Sequence, residues 1–378
     1  MIDFLKSLYK PDIKPLNYAN ISRENILHNF GVLQSHQTQS ELFPVLKSNA
    51  YGHWLKEVSQ ILKGTKGKYI CVDSFPEYQI VKKYSWKKVL VLWETRSENY
   101  KYYDFKNTTF CIYNIETLKY LISLNKKITI HLFINTWMNR EGFQEEELRK
   151  SLSKLQKSKI TVEWVCSHFA TADEIDHEFY DKQIIEFKYL YEIVISYDFN
   201  PKYRHLAASA GTFKMEDNFF NAFRPGMSLF WINVLTKKDL HYSKAKELKL
   251  CMNLYSTVIK IQNVASGEAI SYNLTYQTEE NTKIAVIPFG YYEWFDRKLS
   301  NEYFVKIKGK YYPIRWRICM NLAMIEIWKD EIWIWDEVEI LSINTKDKNT
   351  LYSMAEISKT IPYENVVKIR ENIRKQVK

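Results

Sequence analysis

Two hydrophobic periodicities alternate along the first 245 residues of the chain. Short apolar runs, rich in β-branched and aromatic residues, have the length of buried strands. The runs are ELFPVLK, KYICVDS, KVLVLW, TTFCIYN, ITIHLFIN, TVEWVCSHFA, KYRHLAASA and FRPGMSLF. Amphipathic stretches separate most of them, and in YDKQIIEFKYLYEIVIS the apolar residues share one helical face. Strands that alternate with helices in this way predict a parallel (β/α)8 barrel, as in TIM-like folds.

An open, doubly wound sheet is the alternative arrangement for alternating strands and helices. That fold carries a glycine-rich fingerprint directly after its first strand, and none follows ELFPVLK. The sequence therefore favours the closed barrel.

The pattern changes after about residue 247, where strand-like segments follow one another with little helix between them. They are LKLCMNLYSTVIKIQNV, TKIAVIPFGYY, EYFVKIKGKYYPIRWRICMNLAMIEIW and DEVEIL. Such spacing is typical of a mostly antiparallel β domain, and a final helix is predicted through IPYENVVKIRENIRKQ. We expect a barrel domain over residues 12–247 and a β domain over residues 248–378, to which residues 1–11 could also belong.

Composition and charge exclude several classes of protein. The net charge is +10, but lysines occur in runs no longer than a pair or triplet, so most belong to solvated helix faces. A nucleic-acid or membrane surface is the alternative, yet RNA-binding signatures and zinc-finger spacings are absent.

The five cysteines are widely spaced without a CxxC pair, and the N-terminus lacks a signal-peptide core. No segment approaches the roughly 20 apolar residues of a membrane span. The protein is therefore predicted to be cytoplasmic.

Polar residues collect at the predicted carboxyl ends of the barrel strands, where barrel enzymes place their active sites. They are a lysine, two arginines, two histidines and small hydroxyls: Lys47, Arg140, Ser167, His168, His205, Ser209 and Arg224. No carboxylate pair with metal-ligand or glycosidase spacing accompanies them. Metal-dependent hydrolysis and glycoside cleavage are therefore not expected, and no metal site is predicted.

Lys47 ends a buried strand, whereas most lysines are exposed and inert. Burial lowers the expected pKa of its amine and favours the neutral form, which can form a Schiff base. The backbone N–H groups of Gly226 and Met227, with the hydroxyls of Ser209 and Tyr51, could bind a phosphate. A Schiff-base lysine beside a phosphate cradle implies pyridoxal phosphate.

The segment PVLKSNAYGH resembles the cofactor-attachment motif of the alanine racemase family, whose enzymes use pyridoxal phosphate. The resemblance continues in order through most of the chain, in NTWMNREGF, SHFATADE, AASAG, FRPGMSLF, ISYNLTY, IPFGYYEWFDR, RICMNLAM and IPYENVVKIRENIRK. The family's fold is a barrel followed by a β domain, which agrees with the periodicity. The resemblance implies an enzyme that interconverts L-alanine and D-alanine and supplies D-alanine for peptidoglycan.

The resemblance also implies two catalytic residues. Lys47 would hold the cofactor covalently and then serve as one acid/base at Cα, and Tyr272 would serve as the other. Because racemisation removes a proton from one face and returns it to the other, two bases that flank one carbon suit it. A tyrosine titrates near about 10, so Tyr272 needs a cation beside it, and Arg140 matches that residue. In the family this tyrosine comes from the partner subunit, which implies a homodimer.

Further roles follow from the same matches. Arg224 would contact the pyridine nitrogen, His205 would orient Arg224, and His168 would lie beside the cofactor ring. The residues that would bind the phosphate are Tyr51, Ser209, Gly226, Met227 and Tyr363. Met320 would offer its N–H to the substrate carboxylate, and Tyr291 would line the entry to the site. A racemase of another amino acid, such as serine, and a cofactor-binding homologue with little activity remain alternatives.

Several residues depart from the family pattern. Phe133 stands where many members carry a lysine, carbamylated in some, that supports the arginine matching Arg140. Ala208 replaces an asparagine beside Ser209, and Asn321 replaces an aspartate at the entry channel. These departures bear on rate and substrate range more than on reaction type.

Tryptophan stands at positions where the family carries glycine. The nine positions are Trp54, Trp86, Trp93, Trp137, Trp164, Trp231, Trp294, Trp316 and Trp335, out of 11 tryptophans. Glycine, in contrast, totals 10 of 378 residues, well below the usual share of about 7%. A UGA codon that the source organism reads as glycine, written here as tryptophan, would explain both observations. A truly tryptophan-rich racemase is the alternative.

Overall fold

Parallel strands form a closed barrel within residues Ser22–Cys251, one of the two compact units into which the chain divides. The structure is a computed structural model that describes residues 13–175, 177–230, 233–269 and 276–378. Strand β1 (Tyr18–Ile21) belongs to the second unit. The barrel strands are β2 (Glu41–Leu42), β3 (Tyr69–Val72), β4 (Lys88–Val91), β5 (Thr108–Ile112), β6 (Ile128–Phe133), β7 (Ile160–Cys166), β8 (Tyr203–His205) and β9 (Ala222–Phe223).

Hydrogen bonds close the barrel on itself. Strands β3 to β8 pair in chain order, and β2 pairs with β9, all in parallel. Cys71 N–H donates to Pro44 O and Leu46 N–H donates to Cys71 O, each over 2.8 Å, which joins β3 to the segment after β2. Arg224 N–H donates to Ala207 O over 3.0 Å and joins the segments after β8 and β9. The predicted (β/α)8 barrel is confirmed.

Helices alternate with these strands as the periodicity predicts. They are α1 (Arg23–His36), α2 (Leu55–Leu62), α3 (Phe75–Tyr84), α4 (Ile115–Ser123), α5 (Glu145–Leu155), α6 (Glu178–Ser196) and α7 (Ser209–Lys214). Side-chain oxygens of Ser22 and Asn114 accept the Asn25 and Thr117 N–H groups over 3.2 and 2.8 Å and cap the starts of α1 and α4. Across the part of the chain that the structure describes, no helix is long and apolar enough to cross a membrane.

The eighth apolar run, FRPGMSLF, is mostly not a strand, contrary to the prediction. Strand β9 ends at Phe223, and Met227–Phe230 form a 3-10 turn. Pro225 has no N–H to give to a ladder, and its carbonyl instead accepts Val45 N–H over 2.9 Å. The short strand leaves the Gly226 backbone free to line the end of the barrel.

Aromatic side chains fill much of the barrel interior. Trp164 is fully buried, with ring centroids 4.2 Å from Phe43 and 4.1 Å from Tyr203. Burying a large apolar side chain contributes on the order of 2–3 kcal/mol. The interior is therefore a packed core, and any ligand site has to lie at an end of the barrel.

The second unit contains a nine-stranded sheet made of described residues, and most of its strand pairs are antiparallel. Its remaining strands are β10 (Met252–Thr257), β11 (Lys260–Val264), β12 (Thr282–Ile287), β13 (Phe304–Ile307), β14 (Lys310–Arg315), β15 (Ala323–Trp328), β16 (Glu337–Leu341) and β17 (Arg374–Val377). The order is β11-β12-β15-β14-β13-β16-β10-β1-β17. The predicted β domain is confirmed, and the exact domain boundaries stay a prediction.

The long final helix predicted from the sequence is wrong. The described residues form α8 (Leu351–Ser358) and the short α9 (Pro362–Val366), after which the chain becomes strand β17. Strand β17 pairs in parallel with β1, so that Tyr18 lies opposite Arg374. Pairing with the far end of the sequence therefore overrides the local helical pattern.

Candidate active site

The predicted site residues of the first unit meet at the carboxyl end of the barrel. Lys47 follows the segment after β2, Arg140 follows β6, His168 follows β7 and Arg224 follows β9. The charges of Arg224, Arg140 and Lys47 all act on the pKa of His168, because the four side chains face the same space. Parallel strands bring their carboxyl ends to one edge, as expected for this fold.

A left-handed turn follows Lys47. The φ angles of Ser48, Asn49, Ala50 and Tyr51 are 54°, 55°, 54° and 50°, a conformation that costs L-residues roughly 1–2 kcal/mol each. Specific hydrogen bonds hold it. Asn49 N–H donates to Glu77 Oε1 over 3.0 Å, and Asn49 Oδ1 accepts Leu55 N–H over 2.8 Å. Strain of this kind is typical of functional sites, because the surrounding structure must enforce it.

Burial shifts the amine of Lys47 toward its neutral form. Its side chain is half-buried, with Nζ 5.1 Å from the Trp93 ring centroid. Burial lowers the pKa of Lys47, although Asp73 partly opposes the shift. A larger neutral fraction makes this amine a better nucleophile toward a carbonyl carbon than an exposed lysine.

Gly226, Tyr51 and Ser209, which follow strands β9, β2 and β8, lie together and are the candidate phosphate cradle. The N–H groups of Gly226 and Ser228 both donate to Ser209 Oγ, over 3.0 and 3.2 Å. A Cβ atom on Gly226 would lie 2.5 Å from the Tyr51 hydroxyl oxygen, so only glycine allows this approach. Met227 continues the same backbone into the 3-10 turn. Converging N–H and hydroxyl groups of this kind suit a phosphate.

Gly226→Ala is expected to raise the Kd for pyridoxal phosphate by about tenfold or more, which corresponds to about 1.4 kcal/mol. The added methyl group would displace the Tyr51 hydroxyl from the cradle. Fluorescence titration of the cofactor-free protein measures the effect. Gly31→Ala is the matched control, since no atom lies within 4 Å of its Cβ position. Equal Kd values for the two variants would contradict the cradle.

Arg224 is buried, and both terminal nitrogens of its guanidinium donate hydrogen bonds. Nη1 donates to His205 Nδ1, and Nη2 donates to Ser167 O and lies 3.5 Å from His168 Nδ1. Burial is the larger cause, and the Arg224 charge the second, of a pKa of about 3 for His168. The same two causes hold the pKa of His205 well below its usual range. The guanidinium is therefore a fixed cation among neutral imidazoles.

His131, which is not among the residues predicted from the sequence, extends this network. Because Arg224 donates to His205 Nδ1, the proton of neutral His205 must reside on Nε2. That nitrogen then donates to His131 Nδ1 over 3.2 Å, and the His131 proton resides on Nε2. The chain of hydrogen bonds thus fixes the tautomer of each ring. The position of His131 two residues before the end of β6, facing inward, is the sequence signal that could have found it.

The buried histidines predict a loss of stability in acid. Burial lowers the pKa of His53 to about 4 and that of His168 to about 3, whereas an unfolded histidine titrates near about 6.5. Below that pH the unfolded chain binds more protons, so the free energy of unfolding falls as pH falls. Between pH 6 and pH 4.5, His53→Gln should reduce the slope of the free energy of unfolding against pH by about 1.4 kcal/mol per pH unit. Denaturant titrations measure it, with exposed His177→Gln as control, and an unchanged slope in His53→Gln would contradict the prediction.

Arg140 pairs with its sequence neighbour Glu141. Arg140 Nη2 donates to Glu141 Oε1 over 2.6 Å, and Nε donates to Oε2. Phe133, at the end of β6, is buried and apolar. The sequence predicted Arg140 as a site residue but not Glu141. Phe133 replaces the lysine that supports this arginine in many family members, and the acid directly after Arg140 is the sequence signal that could have identified its new partner.

The other predicted site residues lie in the second unit or outside the described residues. Tyr291 N–H donates to Cys319 O over 3.0 Å and Tyr292 N–H donates to Met320 O over 2.8 Å, so Tyr291 and Met320 are neighbours. Both side chains are exposed. Tyr363 lies on α9 and is half-buried. Tyr272 lies outside the described residues.

A half-buried lysine, a cluster of N–H and hydroxyl groups and a buried guanidinium lie at one end of a parallel barrel, which fits the class of barrel enzymes that use pyridoxal phosphate. A β domain follows the barrel in this chain. The chain belongs to the alanine racemase family. The family's description "Alanine racemase, N-terminal domain" matches residues 21–234, and "Alanine racemase, C-terminal domain" matches residues 251–377.

Individual relatives agree with this family. An alanine racemase of Carboxydothermus hydrogenoformans is 33% identical over 358 residues, which cover 93% of this chain and 96% of the relative. The structure of an alanine racemase of Clostridium difficile 630 is 28% identical with a TM-score of 0.88, over 97% of each chain. A Bartonella henselae alanine racemase with covalently bound pyridoxal phosphate shares the fold, at 20% identity and a TM-score of 0.84 over 97% of this chain and 100% of that one.

Proposed function

We propose that this chain is an alanine racemase that holds pyridoxal 5'-phosphate at the carboxyl end of its barrel and interconverts L-alanine and D-alanine. The observation that carries the proposal is the meeting of Lys47, the Gly226 cradle and buried Arg224 at one barrel end. Membership of the alanine racemase family supports the same reaction. The D-alanine would serve peptidoglycan synthesis. The five cysteines, all among the described residues and none in a disulfide, are compatible with a reducing cytoplasm.

The residues present fit this cofactor. The Lys47 amine would bind its carbonyl carbon, and Tyr51, Ser209, Gly226 and Met227 would bind its phosphate. Tyr363 of the β domain would add a further hydroxyl to the phosphate. Bound pyridoxal phosphate supplies an electron sink that makes the Cα proton of an amino acid more acidic.

Two proton carriers on opposite faces of Cα would perform the racemisation. The Lys47 amine would carry the proton at one face, and the Tyr272 hydroxyl would carry it at the other. Tyrosine needs a nearby cation to act as a base near neutral pH, and Arg140 is the residue proposed for this position. His168 remains neutral beside the cofactor ring and adds no charge of its own.

Arg224 would control the electronic character of the cofactor. Its guanidinium cannot give up a proton at working pH, so a pyridine nitrogen held by Arg224 would stay an acceptor and not a cation. An uncharged ring withdraws fewer electrons from Cα, which limits competing chemistry such as transamination. His205 keeps Arg224 in place through Nδ1.

Three further residues would act on the substrate. Arg140 and the Met320 N–H would hold the carboxylate of alanine, and Tyr291 would line the entry. In the proposed homodimer, Tyr272 of one subunit completes the barrel site of its partner. Sedimentation velocity of the cofactor-loaded protein tests this assembly, and an active monomer would contradict it.

The reaction is tested by incubating the cofactor-loaded protein with L-alanine, D-alanine, L-serine and other amino acids, followed by chiral chromatography. Equal mixtures of the two alanine enantiomers from either starting point, with slower conversion of the other amino acids, are expected. Faster conversion of serine would make the enzyme a serine racemase, and no conversion of any amino acid would reject the proposal.

A further inference from the structure

The guanidinium of Arg140 has a carboxylate partner that comes from the next residue in the chain. The two-pronged contact uses Nε and Nη2 on one side and both oxygens of Glu141 on the other. The Glu141 side chain is only 15% exposed, whereas that of Arg140 is 54% exposed. A carboxylate that is less exposed than the arginine it binds, and that makes two hydrogen bonds to it, can hold the direction of that guanidinium.

Neighbours in sequence do not usually face one another, and the fold of this loop explains why these two do. Asn139 N–H donates to Asn135 Oδ1 over 3.0 Å, and Asn135 N–H donates to Phe143 O over 2.9 Å, which ties the loop back onto its own start. Gly142 has a φ of 110°, and a Cβ there would lie 2.7 Å from the backbone of Ile134 and Asn135. The two side chains meet in a loop that makes this tight return.

Phe133, the last residue of β6, has no polar side-chain atom to offer Arg140. Phe133 is buried there, with its ring centroid 6.3 Å from that of Tyr113 in an edge-to-face contact. The Glu141 charge also acts on the pKa of Lys47 and of Tyr113, so this carboxylate faces the barrel end that carries the lysine.

We propose that Glu141 is a positioning residue of the active site: its carboxylate holds the guanidinium of Arg140 in the direction proposed for contact with the substrate carboxylate. This inference rests on the proposed racemase function for its kinetic consequence, but the Arg140–Glu141 contact itself does not depend on any activity. Glu141, on the loop after β6, thereby provides the polar contact to Arg140 that Phe133 cannot provide.

Three variants test the inference by kinetics. Glu141→Gln should lower kcat for alanine on the order of 100-fold, because a small displacement of a positioned group has effects of that size. Glu141→Ala should be partly rescued by added formate, which can occupy the vacated carboxylate position. Glu145→Gln, which removes the carboxylate from an exposed pair with Arg149, is the control and should leave kcat unchanged. Wild-type kcat in Glu141→Gln, or no rescue by formate, would overturn the inference.

A second readout separates this inference from the racemase proposal. The Nε–H nitrogen resonance of Arg140 can be assigned in the cofactor-free protein by its loss in Arg140→Lys. Glu141→Gln should shift this resonance and speed its proton exchange, and Glu145→Gln should not. An unchanged Arg140 resonance in Glu141→Gln would overturn the inference, whether or not the protein racemises alanine.

A different observation concerns the tryptophans. Among the ten tryptophans that the structure describes, six have a left-handed backbone: Trp54, Trp137, Trp294, Trp316, Trp328 and Trp335, with φ of 61°, 68°, 156°, 60°, 51° and 80°. A bulky residue with positive φ is a true outlier, whereas glycine adopts such angles readily.

At several of these tryptophans, burial of the indole does not offset the cost of the positive φ angle. Trp137 and Trp335 are 46% and 69% exposed, so little apolar burial offsets the backbone conformation. Trp54 occupies the N-cap position of α2 without a side-chain cap hydrogen bond. Each of these positions would be unstrained with glycine.

We infer that the source organism inserts glycine at Trp54, Trp137, Trp294, Trp316 and Trp335, where an unusual backbone coincides with the positions singled out in the sequence. These codons would be UGA, decoded there as glycine. Trp86, Trp93 and Trp164 have ordinary backbone angles, and Trp231 lies outside the described residues.

Reading the gene at the five codons tests the inference directly: UGA supports it and UGG overturns it. A matched pair of variants adds a physical readout, because Trp333 and Trp335 are both exposed, at 62% and 69%, and only Trp335 has a positive φ. Trp335→Gly should raise Tm, and Trp333→Gly should not. A lower Tm in Trp335→Gly would overturn the account of this position.

Discussion

Lys47→Ala is expected to lower alanine racemisation by at least roughly 1,000-fold, the scale of a positioned acid/base, and to abolish covalent retention of the cofactor. The physical reason is that Lys47 combines two tasks. Its amine would bind the cofactor carbonyl and would later carry a proton at one face of Cα. Methyl and guanidinium side chains can do neither, so Lys47→Arg should show the same loss.

Borohydride reduction followed by peptide mass spectrometry measures this attachment. In the unaltered protein the reduced cofactor should mark the peptide that contains Lys47. Lys87→Ala is a matched control, because burial also lowers the pKa of Lys87, while its amine donates to Thr65 O and Gly67 O over 2.6 and 2.7 Å. This variant should retain the mark on Lys47. A mark on another lysine, or retention in Lys47→Ala, would contradict the assignment.

Tyr272→Phe is expected to lower racemisation in both directions on the order of 1,000-fold, whereas α-proton exchange at the face served by Lys47 should persist. Phenylalanine keeps the ring but has no proton to exchange. Lys47 would still remove and return a proton at its own face, so one alanine enantiomer should continue to exchange its α-proton with solvent, and the other should not.

Proton NMR in deuterated solvent, started separately from each enantiomer, measures this asymmetry. Tyr276→Phe is the control: it removes the hydroxyl of a tyrosine four positions later in the sequence, whose Oη lies 3.5 Å from Glu326 Oε2. Its racemisation should stay close to that of the unaltered protein. An equal loss of exchange for both enantiomers in Tyr272→Phe would contradict the two-base assignment.

The sequence was sufficient for the barrel and for the location of its polar end. Apolar runs of strand length alternate with amphipathic helices, and parallel strands necessarily bring their carboxyl ends together. The order of residues along the chain therefore places Lys47, His168 and Arg224 at one end of the barrel. The fold and family predictions are confirmed, while the roles of the individual site residues stay proposals.

Other features depend on contacts that local patterns do not encode. The left-handed turn at Ser48–Tyr51 needs Glu77, which lies on a different helix. The contact between Arg140 and Glu141 needs the loop return at Gly142. Strand β17 replaces a predicted helix because β1 offers an open edge. Each outcome is decided by a partner distant in sequence or by backbone geometry.

The central claim is that Lys47 and Tyr272 move protons at opposite faces of alanine bound at the end of this barrel. The most direct measurement incubates the cofactor-loaded protein with L-alanine in deuterated solvent and analyses both enantiomers early in the reaction. The account predicts that newly formed D-alanine carries deuterium at Cα. D-alanine that retains the original proton, or no D-alanine at all, would contradict it.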